Sequence, residues 1–163
     1  ASVRSRLISE EDMVKQASEF AGTVPVRHLL PYWKTSNRYL FSGGSVNMRD
    51  AAVYAKEENW SKAVELWKQT YETKKGKQKM YAAYNTALGY EMQDSIDTAL
   101  EWALKAQTLA REKSKTDKKE TGEIHNGTIS YYIFISMYVD ELEKRKEGMA
   151  RLNMQMNRFD DDF

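Results

Sequence analysis

Residues 80–107, MYAAYNTALGYEMQDSIDTALEWALKAQ, decide the fold of this 163-residue chain. Apolar or small side chains recur every three or four residues, first as far as Met92 and again from Ile96, which is the spacing of one helical face. Asp94 and Ser95 separate the two runs, and both are residue types that cap the first turn of a helix. The stretch therefore predicts two helices joined by a short turn, with several alanines that let the helices approach closely.

This stretch resembles a tetratricopeptide repeat, a helix–turn–helix unit of about 34 residues. The small and aromatic positions of that family are filled twice, 36 residues apart, by Ala51, Tyr54 and Ala63 and then by Ala87, Tyr90 and Ala99. Glu58 and Asp94 stand where glycine is common in the family, and the proline that often ends the unit is missing. The resemblance implies an all-α fold, a TPR-like alpha-alpha superhelix of antiparallel helix pairs with a long C-terminal helix.

Charge and composition exclude several classes of protein. Lys and Arg number 25 against 24 Asp and Glu, so no net field favours nucleic acid or an acidic membrane surface. The absence of cysteine excludes disulfides and thiolate metal sites. No apolar run approaches the roughly 18 residues of a membrane span, and no signal peptide is recognisable.

The length predicts one compact domain. Residues 1–45 are expected to form an N-terminal helix and an extended segment, both packing on the repeats of residues 46–163. The helix is expected to begin near Ser9 and to end at Pro31. Residues 32–41 show neither the helical spacing of apolar residues nor the alternation of a strand, so an extended segment is expected there. Its aromatic side chains are expected to pack against the first helix pair: Trp33, Tyr39 and Phe41. An alternative role for these aromatics is a ligand platform.

The C-terminal third is expected to form a connector and a capping helix. Residues 111–122, REKSKTDKKETG, have the charge and turn formers of a solvated linker or a frayed helix end. The last helix is expected to run from about Glu123 to Arg151, with one continuous apolar seam: Ile124, Thr128, Tyr131, Ile135, Tyr138 and Leu142. The seam predicts that this helix covers one face of the repeats.

A second resemblance covers most of the chain. Its residues are Pro31, Trp33, Arg38, Tyr39, Ala51, Trp60, Ala63 and Trp67. In this order they are similar to the C-terminal part of a family of bacterial cell-envelope lipoproteins of unknown function. The resemblance implies that a lipid-bearing cysteine and a further domain lie upstream of Ala1. It also implies a place in the cell envelope, with the membrane reached only through a lipid anchor absent from this chain. Without the resemblance, a cytoplasmic location is expected.

Asn85 is the first candidate for a binding residue. In peptide-binding repeats of the resembled type, an asparagine in the first helix bonds the backbone of a bound peptide. The Lys, Asn and Arg that hold a peptide carboxylate in such repeats are not assembled by the spacing, so no carboxylate clamp is expected. The other candidates are aromatic: Tyr81, Tyr84, Trp60 and Trp67. The structural alternatives are that Asn85 bonds within the helix layer or to water, and that the tryptophans are buried between helices.

Catalytic, metal and cofactor motifs are not found. His28 and His125 lack zinc-ligand spacing, and no serine lies in a Gly-x-Ser-x-Gly turn. The sequence therefore predicts a non-enzymatic helical scaffold for protein–protein or peptide interaction. Its partner is expected to be a protein, a peptide or an upstream domain of the same protein. The alternative function is a glycan- or small-ligand-binding module of the cell envelope that uses Trp33, Trp60, Trp67 or Tyr84.

Overall fold

The computed structural model describes residues 2–5, 34–121 and 130–161, and the side chains of residues 35–115 and 130–160. Within these residues the chain is predominantly helical, as the sequence predicts. The elements are β1 (Ser2–Ser5), β2 (Lys34–Asn37), α1 (Val46–Lys56), α2 (Trp60–Thr73), α3 (Gly76–Met92), α4 (Ile96–Thr121) and α5 (Tyr131–Asp161). No helix in these ranges is long and apolar enough to cross a membrane.

The α1–α2 and α3–α4 connections have the same backbone geometry. Glu58 and Asp94, 36 residues apart, both adopt the left-handed conformation, with φ of 59° and 60°. The next residue in each turn donates its N–H to the corresponding tyrosine carbonyl, from Asn59 to Tyr54 at 2.8 Å and from Ser95 to Tyr90 at 2.9 Å. The interval found in the sequence is therefore also the interval between two equivalent turns.

Neighbouring helices run antiparallel. Asn47 at the start of α1 donates to Gln69 near the end of α2, at 3.3 Å. Ser61 at the start of α2 donates to Gln93 just beyond α3, also at 3.3 Å. Small residues make the helix contacts close, as the sequence predicts, because four alanines at the repeat positions are 0% exposed: Ala51, Ala63, Ala87 and Ala99.

Gly89 allows the closest approach between α2 and α3. A Cβ atom added at Gly89 would lie 2.3 Å from Cγ2 of Val64 and 3.1 Å from the ring of Trp67. Real Cβ atoms do not approach that closely, so the Val64 and Trp67 side chains use the space that the glycine leaves.

Buried side chains form two cores that share α3. The α1–α3 core contains Met48, Ala51, Ala55, Ala63, Val64, Trp67 and Ala82. The α3–α5 core is built on α3, α4 and the first turns of α5, and its largest buried side chains include Met80, Tyr84, Ile135 and Leu142. Because α3 is covered on both sides, ten of its residues are buried, including the polar Asn85, Thr86 and Glu91.

The chain divides into two compact units. One unit is Tyr39–Glu143, which holds α1 to α4 and the start of α5. The other unit joins Ala1–Arg38 to Lys144–Phe163. In it, β1 and β2 pair antiparallel, with Ser2 opposite Asn37 and Ser5 opposite Lys34. This sheet was not expected in an all-α fold. The helix predicted between Ser9 and Pro31, and Trp33, lie outside the described residues.

Three helix ends in the C-terminal third differ from the leading expectation. α4 continues through residues 111–121, where a linker or a frayed helix end was expected. The segment is rich in Lys and Glu, contains no Gly or Pro, and so favours a helix as readily as a solvated connector. α5 begins at Tyr131, because Ser130 is not helical and its hydroxyl accepts the N–H of Ile133 at 3.3 Å. α5 also extends past Arg151 to Asp161.

Candidate functional site

Asn85 holds the main chain of Phe41. The Phe41 N–H donates to Oδ1 of Asn85 at 3.1 Å, and Nδ2 of Asn85 donates to the Phe41 carbonyl at 2.6 Å. Asn85 is 0% exposed and lies in the middle of α3. Its amide therefore pairs both backbone groups of one residue in a non-helical segment. This is neither a bond within the helix layer nor a bond to water.

The ring of Phe41 lies among four aromatic side chains, which we call the aromatic cluster: Tyr81, Tyr84, Tyr131 and Phe134. It stacks on Tyr81 with a centroid distance of 4.2 Å. It meets Tyr84, Tyr131 and Phe134 edge to face, at 5.1, 6.2 and 6.1 Å. The three edge-to-face contacts have the distances and orientations that favour aromatic pairs, and the stacked contact with Tyr81 is closer than these. α3 and α5 together therefore build a groove that fits one aromatic side chain beside Asn85.

Hydroxyl groups tie the two helices of the groove together. The hydroxyls of Tyr81 and Tyr131 are 2.6 Å apart. Burial raises the pKa of Tyr81 well above its ordinary value of 10.0, and the hydrogen bond with Tyr131 raises it further. Deeper along the same two helices, the Tyr138 hydroxyl donates to Oε2 of the buried Glu91 at 2.7 Å. The groove is thus supported by polar links from α3 to α5 in addition to ring contacts.

Residues 39–42 are the occupant of this groove, and we call them the Phe41 segment. Leu40 and Phe41 are partly buried, and Phe41 touches both cores. Tyr39 was expected to pack like Phe41, but it is 59% exposed. It meets the rings of Phe41 and Phe134 at centroid distances of 5.2 and 5.7 Å, from outside.

The two predicted tryptophans lie in the other core. Trp67 is 0% exposed within the α1–α3 core, and Trp60 is a partly buried neighbour of that core. Of the described buried side-chain atoms, Nε1 of Trp67 is the one without a hydrogen-bond partner. Of the five predicted binding residues, the structure therefore brings together Asn85, Tyr81 and Tyr84 and places Trp60 and Trp67 elsewhere.

An open surface groove of about 610 Å³ lies on the outer side of α2. Its lining consists of Trp102 and polar side chains: Asn47, Glu65, Lys68, Gln69, Glu72 and Thr73. The Lys105 ammonium lies 4.0 Å from the Trp102 ring centroid, and that of Lys68 lies 5.8 Å from it. Trp102 is 9% exposed and also belongs to the α3–α5 core, so the groove offers a small aromatic surface beside hydrogen-bonding side chains of both charges.

Phe41, Tyr131 and Phe134 are the groove residues that the sequence did not place beside Asn85. Phe41 was expected to pack against the first helix pair, with a ligand platform as the alternative. Tyr131 belongs to the predicted apolar seam of the last helix, and that pattern alone places it toward the repeats. Phe41 carries no periodic signal, because it precedes the repeats in an irregular stretch. Only the tertiary structure shows which part of the chain meets Asn85.

The arrangement holds both backbone groups of one residue and its aromatic ring at the same place. An asparagine side chain that pairs with both backbone groups of one residue recognises any residue type there, while the surrounding rings select an aromatic side chain. In the described parts of the chain, no three His, Cys, Asp or Glu side chains are grouped as metal ligands.

The fold and the groove together define a predominantly helical protein that holds a non-helical segment against its third helix. The family described as "Domain of unknown function (DUF6340)" matches residues 49–144, and the chain belongs to this family. A second family, described as "Domain of unknown function (DUF8603)", matches residues 1–41. No curated protein and no solved structure matches the chain.

Proposed function

We propose that the chain is a non-enzymatic, TPR-like helical scaffold that binds a protein or peptide partner in extended conformation. The equivalent turns at Glu58 and Asp94 support the repeat architecture, because both the backbone conformation and the bond to the preceding tyrosine recur after 36 residues. The buried alanines at the matching helix positions support it as well. Repeat units of this kind cannot bury their apolar faces alone and require neighbours.

The observation that carries the binding role is the pair of hydrogen bonds between Asn85 and the Phe41 backbone. A buried side-chain amide needs partners for its oxygen and its N–H groups, since leaving them unpaired costs about 1–3 kcal/mol. An extended peptide supplies a matching acceptor and donor on one residue. The groove therefore has the geometry to bind a chain segment through its backbone.

Peptide display on the immobilised full chain tests this role. We expect a random peptide library to yield binders that lose affinity for the Asn85→Leu variant. The matched control is Thr86→Val, because Thr86 is equally buried on the same helix and bonds only the Ala82 carbonyl of its own helix. Binders that the Asn85→Leu chain holds as well as the wild-type chain would contradict the proposed site.

The surface groove beside Trp102 favours a second candidate, the binding of a glycan or another small polar ligand. An aromatic wall next to amide, carboxylate and ammonium groups suits a polar ligand with one apolar face. Trp60 and Trp67, expected for this role, do not line the groove. Glycan arrays and tryptophan fluorescence test the candidate, with Trp102→Phe as the variant. Saturable sugar binding that depends on Trp102, with no peptide bound, would favour this candidate over the scaffold.

We place the scaffold in the bacterial cell envelope on the strength of the lipoprotein resemblance of residues 31–67. The proposal requires a lipoprotein signal with its modified cysteine upstream of Ala1, and the upstream coding sequence tests it. A coding sequence that starts immediately before Ala1 would contradict it.

A further inference from the structure

The N-terminal cap of α1 lies after the Phe41 segment and does not include it. α1 is capped by Ser45, whose side chain accepts the Met48 N–H at 3.4 Å and whose carbonyl accepts the Arg49 N–H at 3.2 Å. Between the segment and this cap lie two glycines. Gly44 has a φ of +113°, which favours glycine, and a Cβ at Gly43 would meet nothing within 4 Å. Gly44 itself packs closely on the Gln78 side chain of α3, and the Ser45 N–H donates to Oε1 of Gln78 at 3.4 Å. The chain is therefore held to α3 from Gly44 onward, and Gly43 is the position at which the segment can turn without disturbing the cap of α1.

The groove binds the segment through features that another chain can supply. The two hydrogen bonds of the Asn85 amide go to the backbone N–H and C=O of Phe41. A residue of another type at this position could form the same two bonds. The aromatic cluster contacts the ring, and Tyr81 stacks on it at 4.2 Å. An extended peptide with one aromatic residue at this position would make the same contacts.

Family boundaries separate the groove from its occupant. Asn85 and the aromatic cluster all lie within the DUF6340 match at residues 49–144. Residues 39–41 lie within the DUF8603 match, which ends at Phe41. The groove residues and residues 39–41 of the segment are thus matched by different family models, and Ser42 lies outside both matches.

We propose that the Phe41 segment is a built-in ligand of the Asn85 groove, and that the ligand class of the groove is an extended peptide carrying an aromatic side chain. This inference rests on the proposed peptide-binding function. The segment occupies the groove within the same molecule, so its effective concentration is high and a free peptide must compete with it. Removing the aromatic ring of residue 41 lowers the affinity of the segment and opens the groove to peptides.

A labelled peptide with the sequence of residues 36–44, SNRYLFSGG, tests this with the full-length chain. Fluorescence anisotropy would measure its binding to the wild-type chain and to Phe41→Ala. We expect Phe41→Ala to bind the peptide about tenfold more tightly than the wild-type chain does. The segment of the variant no longer buries a phenylalanine ring, so it competes less well with the peptide, which does. The control peptide SNRYLASGG should bind both chains weakly. Adding Asn85→Leu to Phe41→Ala should abolish binding, and adding Thr86→Val should leave it unchanged.

Three outcomes would overturn the inference: a folded Phe41→Ala chain that does not bind SNRYLFSGG, equal affinity for the two peptides, or binding that survives Asn85→Leu. If Phe41→Ala does not fold, Phe41→Leu keeps an apolar side chain and serves the same comparison. Library peptides that bind through Asn85 while SNRYLFSGG does not bind Phe41→Ala would refute the built-in ligand and leave the proposed function standing. A Phe41→Ala chain that binds no peptide of any kind would refute both.

Discussion

Glu58 and Asp94 share one left-handed backbone conformation, with φ of 59° and 60°, at positions 36 residues apart. Glu58 follows the C-cap of α1, and Asp94 follows the C-cap of α3. The residue after each one donates its N–H to a tyrosine carbonyl in the preceding helix, Asn59 to Tyr54 and Ser95 to Tyr90. Residues with a Cβ rarely adopt this backbone conformation, so its recurrence after 36 residues shows that the two turns have the same geometry.

Replacing Glu58 by glycine should stabilise the protein. Glycine has no Cβ penalty in the left-handed region, and we expect a gain of about 0.5–1 kcal/mol in the free energy of unfolding. Urea denaturation followed by circular dichroism would measure it. Glu57→Gly is the matched control, because Glu57 has a φ of −83° and glycine there should destabilise. Aspartate tolerates the left-handed region better than glutamate, so Asp94→Gly should gain less. A loss of stability in Glu58→Gly would contradict the assigned turn.

Adding a methyl group at Gly89 should destabilise the α2–α3 contact. The new Cβ would lie 2.3 Å from Cγ2 of Val64, and we expect Gly89→Ala to cost about 1–3 kcal/mol by overpacking. Thermal denaturation would measure the loss. Gly43→Ala, where the Cβ meets no atom within 4 Å, should change stability little.

A double-mutant cycle would test whether Val64 is the side chain that clashes with a methyl group at position 89. Val64→Ala in the Gly89→Ala background removes the clashing methyl groups, so the double variant should be more stable than the sum of the two single effects predicts. Strict additivity would mean that Val64 is not the limiting contact.

Asn85 should contribute to stability through the Phe41 segment. Asn85→Leu leaves the Phe41 N–H and carbonyl without their partners, and we expect a cost of about 1–3 kcal/mol. Thr86→Val loses only one hydroxyl bond to its own helix and should cost less than about 1 kcal/mol. Chemical denaturation of both variants makes the comparison. Equal costs would show that the bonds to Phe41 contribute nothing specific.

The Tyr81 hydroxyl should make stability fall at alkaline pH. Its pKa is raised in the folded chain by burial and by the bond to Tyr131. Below about pH 9 the hydroxyl is neutral in both states and its contribution is fully present. Above about pH 10 the unfolded chain ionises first, so stability is lost as the pH rises toward the folded pKa. Urea midpoints should therefore fall less steeply with pH for Tyr81→Phe than for the wild-type chain. Parallel slopes would contradict the shift.

The sequence was sufficient for the helix pairs because their contacts are local and periodic. The alanines at 51, 63, 87 and 99 are small where the helices touch, and all are buried. The end of α4 was not predictable, since lysine and glutamate suit a helix and a linker equally. The β1–β2 pair was not predictable either, because its four-residue strands lie far apart in the sequence and carry no alternating pattern.

The sequence indicated some residues of the candidate site but not their neighbours in space. Asn85 and two of its aromatic neighbours stood out because one helix displays them. Phe41 was expected to pack against the repeats but not beside Asn85, because the choice of segment that meets a helix depends on long-range packing. The two tryptophans were proposed as binding residues, but a large aromatic side chain suits a buried core as well as a binding surface. Trp67 is in the core.

We propose that the Asn85 groove binds an extended peptide with an aromatic side chain. A crystal structure of the Phe41→Ala chain with the peptide SNRYLFSGG would show whether it does. The phenylalanine of the peptide should lie on Tyr81, with its N–H and carbonyl paired to the Asn85 amide. A peptide bound elsewhere, or the chain's own backbone at position 41 still paired with Asn85 at full occupancy, would contradict it.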